Sequence, residues 1–214
     1  MTVALKICGM KYEANVLEVG RLQPDYLGFN FYRQSPRFVG EDFQMTNELS
    51  TTIRRVGVFV NEDVSVVNDL VQKHSLDLVQ LHGGESPEYC DRLQVNGIAV
   101  IKVFLVDDTF DFTATHLFKH VVDYFLFDTK GKFYGGNATK FNWNVLHRYD
   151  QSVPFFLAGG ISPADTKQIK ELDGMNLHAI DVNSGVESGL ALKDLNLVKE
   201  VIENLKELND EVSS

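Results

Sequence analysis

Short apolar runs recur along the chain. Each gives way to glycine or a polar residue before apolar positions at helical spacing take over. The runs predict strands over residues 4–7, 25–29, 55–60, 77–81, 98–104, 124–127, 155–158 and 179–182. Between them, Ala14, Val16, Leu17 and Val19 mark a helix over 11–19, and Val66, Val67, Leu70 and Val71 mark one over 63–73. Ser86-Pro87-Glu88 is a helix start, with a serine cap, proline at the first helical position and an acid in the first turn. Weaker patterns place helices at 113–118 and near Trp143, and Ser162-Pro163 caps another. An amphipathic helix is expected over 192–208, with 209–214 frayed; 32–38 reads as a long polar loop and 131–139 as a glycine-rich one.

Strands alternating with helices imply parallel pairing through helical crossovers. Eight such units either close into a barrel or spread as an open sheet. No G-x-G-x-x-G follows the first strand, and the repeat of about 20 to 30 residues suits the barrel. The expectation is therefore an α/β fold, one eightfold β/α barrel domain over residues 1–214. Hydrophobic content of 44% with 23% charged residues is ordinary for a globular protein. The net charge of −10 speaks against a nucleic-acid surface but not against a phosphorylated small molecule, which backbone N–H groups can hold. No secretion signal and no membrane-length apolar run is seen, and two cysteines suit a reducing compartment, so a cytoplasmic location is expected.

The chemistry gathers where the strands end, since all parallel strands of a barrel open on one face. Phe155–Ala158 runs into Gly159-Gly160, and Ala179–Val182 runs into Asn183-Ser184-Gly185. Small residues there let the backbone turn and aim N–H groups at an anion, so Gly159, Gly160, Ser184 and Gly185 are expected to form a phosphate cup. Among the residues that follow the strands, Cys8 and Asp128 can exchange protons near neutral pH, as a thiolate base and a protonated acid. Cys8 equally suits a small buried hydrophobe, and Asp128 a helix cap or a partner for Lys130. Arg37, in the stiff loop Ser35-Pro36-Arg37-Phe38, can grip a carboxylate with its guanidinium fork. His82 has no Cys, Asp or Glu at metal-ligand spacing, and no third ligand accompanies His116 and His120, so no metal is expected.

Seven motifs in order carry a resemblance over almost the whole chain: Leu5-Lys6-Ile7-Cys8-Gly9-Met10, Gly28-Phe29 with Ser35-Pro36-Arg37, Val56-Gly57-Val58-Phe59-Val60-Asn61, Val79-Gln80-Leu81-His82-Gly83, Phe127-Asp128-Thr129-Lys130, Ala158-Gly159-Gly160-Ile161, and Asp181-Val182-Asn183-Ser184-Gly185-Val186-Glu187. Together they resemble the phosphoribosylanthranilate isomerases of tryptophan biosynthesis. The resemblance implies an eightfold barrel without cofactor or metal, working as monomer or homodimer on a phosphorylated substrate by an Amadori rearrangement. It further implies Cys8 as general base, Asp128 as general acid and Arg37 on the anthranilate carboxylate. Gly159, Gly160, Ser184 and Gly185 would hold the phosphate, and His82 and Asp181 would line the pocket. The family's Gly-Gly-x-Gly and Phe-Asp-Trp read here as Gly135-Gly136-Asn137-Ala138 and Phe141-Asn142-Trp143. Two alternatives are another phosphosugar isomerase barrel, including a bifunctional relative that Cys8 argues against, and a barrel that binds a phosphometabolite without turnover.

Overall fold

The computed structural model describes residues 2–131 and 140–212. Strands β1 (Ala4–Met10), β2 (Tyr26–Asn30), β3 (Arg54–Phe59), β4 (Leu78–Leu81), β5 (Ala99–Val106), β6 (Tyr124–Thr129), β7 (Phe155–Leu157) and β8 (Leu177–Val182) pair in chain order. β8 returns to β1 in parallel and closes the barrel, setting Lys6 against Asp181. Helices α1 (Glu13–Gly20), α2 (Val64–His74), α3 (Pro87–Val95) and α4 (Leu195–Val212) cover the outside, with 3-10 segments at Phe112–Phe118, Trp143–Arg148 and Pro163–Leu172. Ser86 caps α3 as expected, its hydroxyl accepting from Tyr89 N–H at 3.3 Å.

Alternation with a period of two divides each strand between two cores. Tyr26, Val56, Leu78, Ile101, Leu126, Phe156 and Ala179 fill the barrel interior. Leu5, Ile7, Phe59, Val79, Phe125, Phe127 and Ile180 face outward under the helices. Phe127 is fully buried, its ring centroid 5.1 to 5.5 Å from those of Phe112, Tyr149 and Phe155. Burial of such a ring contributes about 1.5–3 kcal/mol. With Phe127 anchored outside, the next residue, Asp128, turns inward.

Three expectations about the elements change. The connection between β2 and β3, residues 31–53, has no helix, so the strand–helix alternation breaks there. Its apolar residues dock one at a time: Phe31 stacks on Phe59 at 5.3 Å and Phe43 leans on Phe29 at 5.6 Å. The closing helix starts later than residue 192, because Leu192–Lys193 (β10) pairs with Glu187–Gly189 (β9) in a hairpin. Asp194 Oδ1 then accepts from Asn196 N–H at 2.8 Å and opens α4. Residue 209 is not frayed, since Asn209 Oδ1 accepts from Val3 N–H at 2.8 Å and ties the last helix to the segment leading into β1. The predicted glycine-rich loop, with its Gly135, Gly136 and Ala138, lies outside the described residues apart from Gly131. Among the described residues no helix is long and apolar enough to cross a membrane.

Candidate active site

Lys6 and Cys8 stand two apart on β1 and therefore point into the barrel on the same face. Lys6 is fully buried, with Nζ 2.8 Å from Asp181 Oδ2. Above this pair a small cavity of about 50 Å³ opens at the strand ends. Cys8, Asn30, Gln80, His82, Asp128, Asp181 and Asn183 line it with Gly159, Gly160 and Ser184. The predicted Cys8, His82, Asp128 and Asp181 thus meet in one place. They belong to the strand ends or directly abut them, where the barrel's hydrogen bonding holds their backbones. Asn61, just after β3, is not part of this lining and accepts from Gly84 N–H at 2.7 Å. Gly28 leaves room for the thiol, because a Cβ there would lie 2.8 Å from Cys8 Sγ.

Burial lifts the Asp128 carboxyl to about 6 with help from the nearby Asp181 charge, against a 2.7 Å hydrogen bond from Thr129 N–H that favours the anion. Lys130 is not its partner, since Lys130 Nζ reaches out to Asp107 at 2.7 Å. The thiol departs from the expectation of a lowered pKa. Burial pushes Cys8 above its ordinary value, and the nearby Lys6 and Lys193 ammoniums offset this only in part. Burial opposes the charge on Lys6 as well, but Asp181 and Cys8 outweigh it and hold Lys6 above an ordinary lysine. Burial together with Lys6 and Lys102 drives His82 down to about 3. Its ring is therefore neutral at pH 7, and the 3.6 Å approach of Nε2 to Asp128 is not an ion pair.

The expected cup draws on the loops after β7 and β8. Gly159 and Gly160 take φ of +104° and +70°, a region costly for other residues, and a Cβ on Gly159 would lie 2.2 Å from Thr129 Oγ1. Ser184 lines the cavity together with Gly159 and Gly160, whereas Gly185 is not part of its lining. A Cβ on Gly185 would sit 2.0 Å from the Ile161 carbonyl oxygen, so this glycine lets the loops after β7 and β8 touch. Gly185→Ala is accordingly expected to lower the thermal midpoint by several degrees, about 1–3 kcal/mol of overpacking, as read by thermal denaturation. An unchanged midpoint would mean the loops part without cost.

Arg37 is not among the residues that line the cavity, and its fork is engaged. Its Nε and Nη2 donate to the Glu187 carboxylate at 2.9 and 2.7 Å. Lys193 Nζ also donates to Glu187, at 2.8 Å, and to Asn183 Oδ1 at 2.8 Å. Lys6, Gln80, Glu187 and Lys193 were not singled out in the sequence reading. Lys6 was legible as a cation inside an apolar run, at same-face spacing from Cys8. Nothing local marks Lys193 as a residue that becomes fully buried. Among the described residues no group of three or more His, Cys, Asp or Glu could hold a metal ion.

Residues 5–204 match the family model described as N-(5'phosphoribosyl)anthranilate (PRA) isomerase. An N-(5'-phosphoribosyl)anthranilate isomerase of Parabacteroides distasonis is 38% identical over 204 residues, which is 94% of this chain and 92% of the relative. One from Caldanaerobacter subterraneus is 36% identical over 206 residues, 95% of this chain and 98% of the relative. Among solved structures, the phosphoribosyl anthranilate isomerase of Thermotoga maritima superposes with a TM-score of 0.82 at 31% identity, covering 96% of this chain and 99% of its own. A phosphoribosyl anthranilate isomerase in complex with reduced 1-(o-carboxyphenylamino)-1-deoxyribulose 5-phosphate superposes at 0.79, with 30% identity and coverage of 96% and 99%.

Proposed function

The chain belongs to the N-(5'-phosphoribosyl)anthranilate isomerase family, and from that premise we propose the part each side chain plays. The reaction is the Amadori rearrangement of N-(5'-phosphoribosyl)anthranilate to 1-(2-carboxyphenylamino)-1-deoxyribulose 5-phosphate, a step of tryptophan biosynthesis. Asp128 gives its proton to the furanose ring oxygen, which opens the ring to a protonated imine. Cys8 takes the proton from C2′, leaving an enolamine that tautomerises to the ketone. One observation carries this reading. In barrel order β7 and β8 lie between β6 and β1, so a phosphate held in the cup after β7 and β8 has Asp128 on one side of its sugar and Cys8 on the other. Binding energy at the phosphate then fixes the reacting carbon between acid and base.

The protonation states impose a condition. With Asp128 near 6 and Cys8 above an ordinary thiol, most molecules at pH 7 hold an ionised acid and a protonated base. The competent form has that proton moved from sulfur to carboxyl. It is the minority form, because Asp128 is the stronger acid of the two. Lys6 beside Cys8 favours the thiolate in that form.

Arg37 receives the anthranilate carboxylate, and His82 and Asp181 contact the sugar. Arg37→Ala is expected to raise KM for phosphoribosylanthranilate by roughly tenfold or more while leaving inhibition by inorganic phosphate unchanged. Equal losses for the two ligands would make Arg37 a structural residue. The overall test is a fluorescence assay of the purified protein with freshly made phosphoribosylanthranilate, and a folded protein without turnover would refute these roles. We read the chain as one barrel domain acting in the cytoplasm on a phosphorylated small molecule, as monomer or homodimer. The acidic balance of −10 supports the absence of a nucleic-acid partner.

A further inference from the structure

We propose that Glu187 is a positioning residue for Arg37, holding one edge of the guanidinium so that the other is presented to the substrate's carboxylate. This inference rests on the reading of Arg37 as the anthranilate grip. A guanidinium has two edges able to form a paired contact with a carboxylate, one through Nε and Nη2, the other through Nη1 and Nη2. Glu187 fills the first, at 2.9 and 2.7 Å. Among the described residues no acceptor takes Nη1, so the second edge keeps its donors. The Arg37 stem crosses Gly9, where a Cβ would lie 2.7 Å from Arg37 Cδ, and Gly9 follows the general base directly. The Arg37 stem therefore passes the residue next to Cys8, close enough for the two groups to interact electrostatically.

Glu187 is itself pinned. Its Oε1 also accepts from Lys193 Nζ at 2.8 Å, and Lys193 is fully buried. Lys193 is held at both ends: Nζ on Asn183 Oδ1 at 2.8 Å, and backbone N–H and carbonyl on the Asn15 side chain at 2.8 and 3.0 Å. A run of fixed rotamers thus links α1, the β9–β10 hairpin and the loop after β8 to the guanidinium. A preorganised arginine loses less freedom on meeting its ligand than one at the end of a loose chain. The charges agree, because two cations against one carboxylate leave the trio with a surplus positive charge for an incoming anion. Arg37 with Glu187 alone would be neutral, so Lys193 keeps the fork attractive.

The experiment compares Glu187→Gln, Glu187→Asp and Arg37→Ala in the intact chain by KM and kcat for phosphoribosylanthranilate, inhibition by inorganic phosphate, and melting. Glu187→Gln is expected to raise KM roughly tenfold with kcat changed less than about threefold and phosphate inhibition unchanged. Glu187→Asp, keeping the charge, is expected to fall between Gln and the parent. A KM that falls would show Glu187 competing with the substrate for Arg37, and a KM that stays constant would show it irrelevant. A joint loss of kcat, phosphate binding and melting temperature in both Glu187 variants would make it a fold residue. Each of these outcomes overturns the proposal. If Arg37→Ala itself leaves KM unchanged, the reading of Arg37 fails. If Arg37→Ala raises KM and Glu187→Gln does not, only the positioning role fails.

Discussion

Asp128→Asn is expected to lower kcat by on the order of a thousandfold and to change the shape of the pH profile as well as its height. In the parent, the competent form carries one proton shared between two groups, on the carboxyl and off the sulfur. Its population rises with pH up to about 6, stays level while one proton remains on the pair, and falls only when the thiol's own range is reached. With asparagine the group titrating near 6 is gone, and what activity remains depends on thiolate alone. The residual rate should therefore climb about tenfold per pH unit from 7 to 9, where the parent is flat. Steady-state kinetics across that range decides the matter, and a flat variant profile would remove Asp128 from the proton inventory.

The same substitution reaches stability. The folded-state value near 6 lies above an unfolded aspartate's value of about 3.9, so the fold gains from a protonated Asp128. That stability is fully present below about pH 4 and is lost as pH rises through 6, leaving a penalty of about 3 kcal/mol at neutral pH. Asparagine avoids the buried anion. The variant should melt higher than the parent at pH 7, with the difference vanishing near pH 4. An equal midpoint at pH 7 would mean that water reaches the carboxyl in the folded protein.

Cys8→Ser is expected to cost on the order of a hundredfold or more, with the opposite pH signature. A serine hydroxyl does not ionise in this range, so the base is lost while the acid remains. The residual rate should then follow protonated Asp128 and fall about tenfold per unit above pH 6. Phosphate inhibition should be unchanged, because Gly159, Gly160 and Ser184 are untouched. A rising residual rate, like that expected for Asp128→Asn, would transfer the base role to another group. The two variants therefore predict slopes of opposite sign from one cavity.

What the residues determined unaided is the frame and the main actors. Short apolar runs, each ending in glycine or a polar residue and most of them followed by helical spacing, imply eight parallel strands opening on one face. That face is where Cys8, Asp128, His82, Asp181 and the Gly159-Gly160 turn had to meet. Helix caps such as Ser86 were equally readable, since capping is settled within four residues. The helix-free connection over 31–53 was not, because Phe31 and Phe43 are satisfied by Phe59 and Phe29 on other elements rather than by their own periodicity.

Tertiary structure alone decided the charges. Whether a thiol is lowered or raised depends on the balance between buried surface and the ammoniums that reach it, here Lys6 from the same strand and Lys193 from a hairpin near the other end of the chain. It also decided what Arg37 holds. Its 2.7 Å contact with Glu187 joins residues 150 apart, and no local pattern encodes a partner at that separation. Periodicity is a property of neighbours along the chain and can be read from them. Electrostatic environment is a sum over everything brought close by closing the barrel, and it has no value until β8 meets β1.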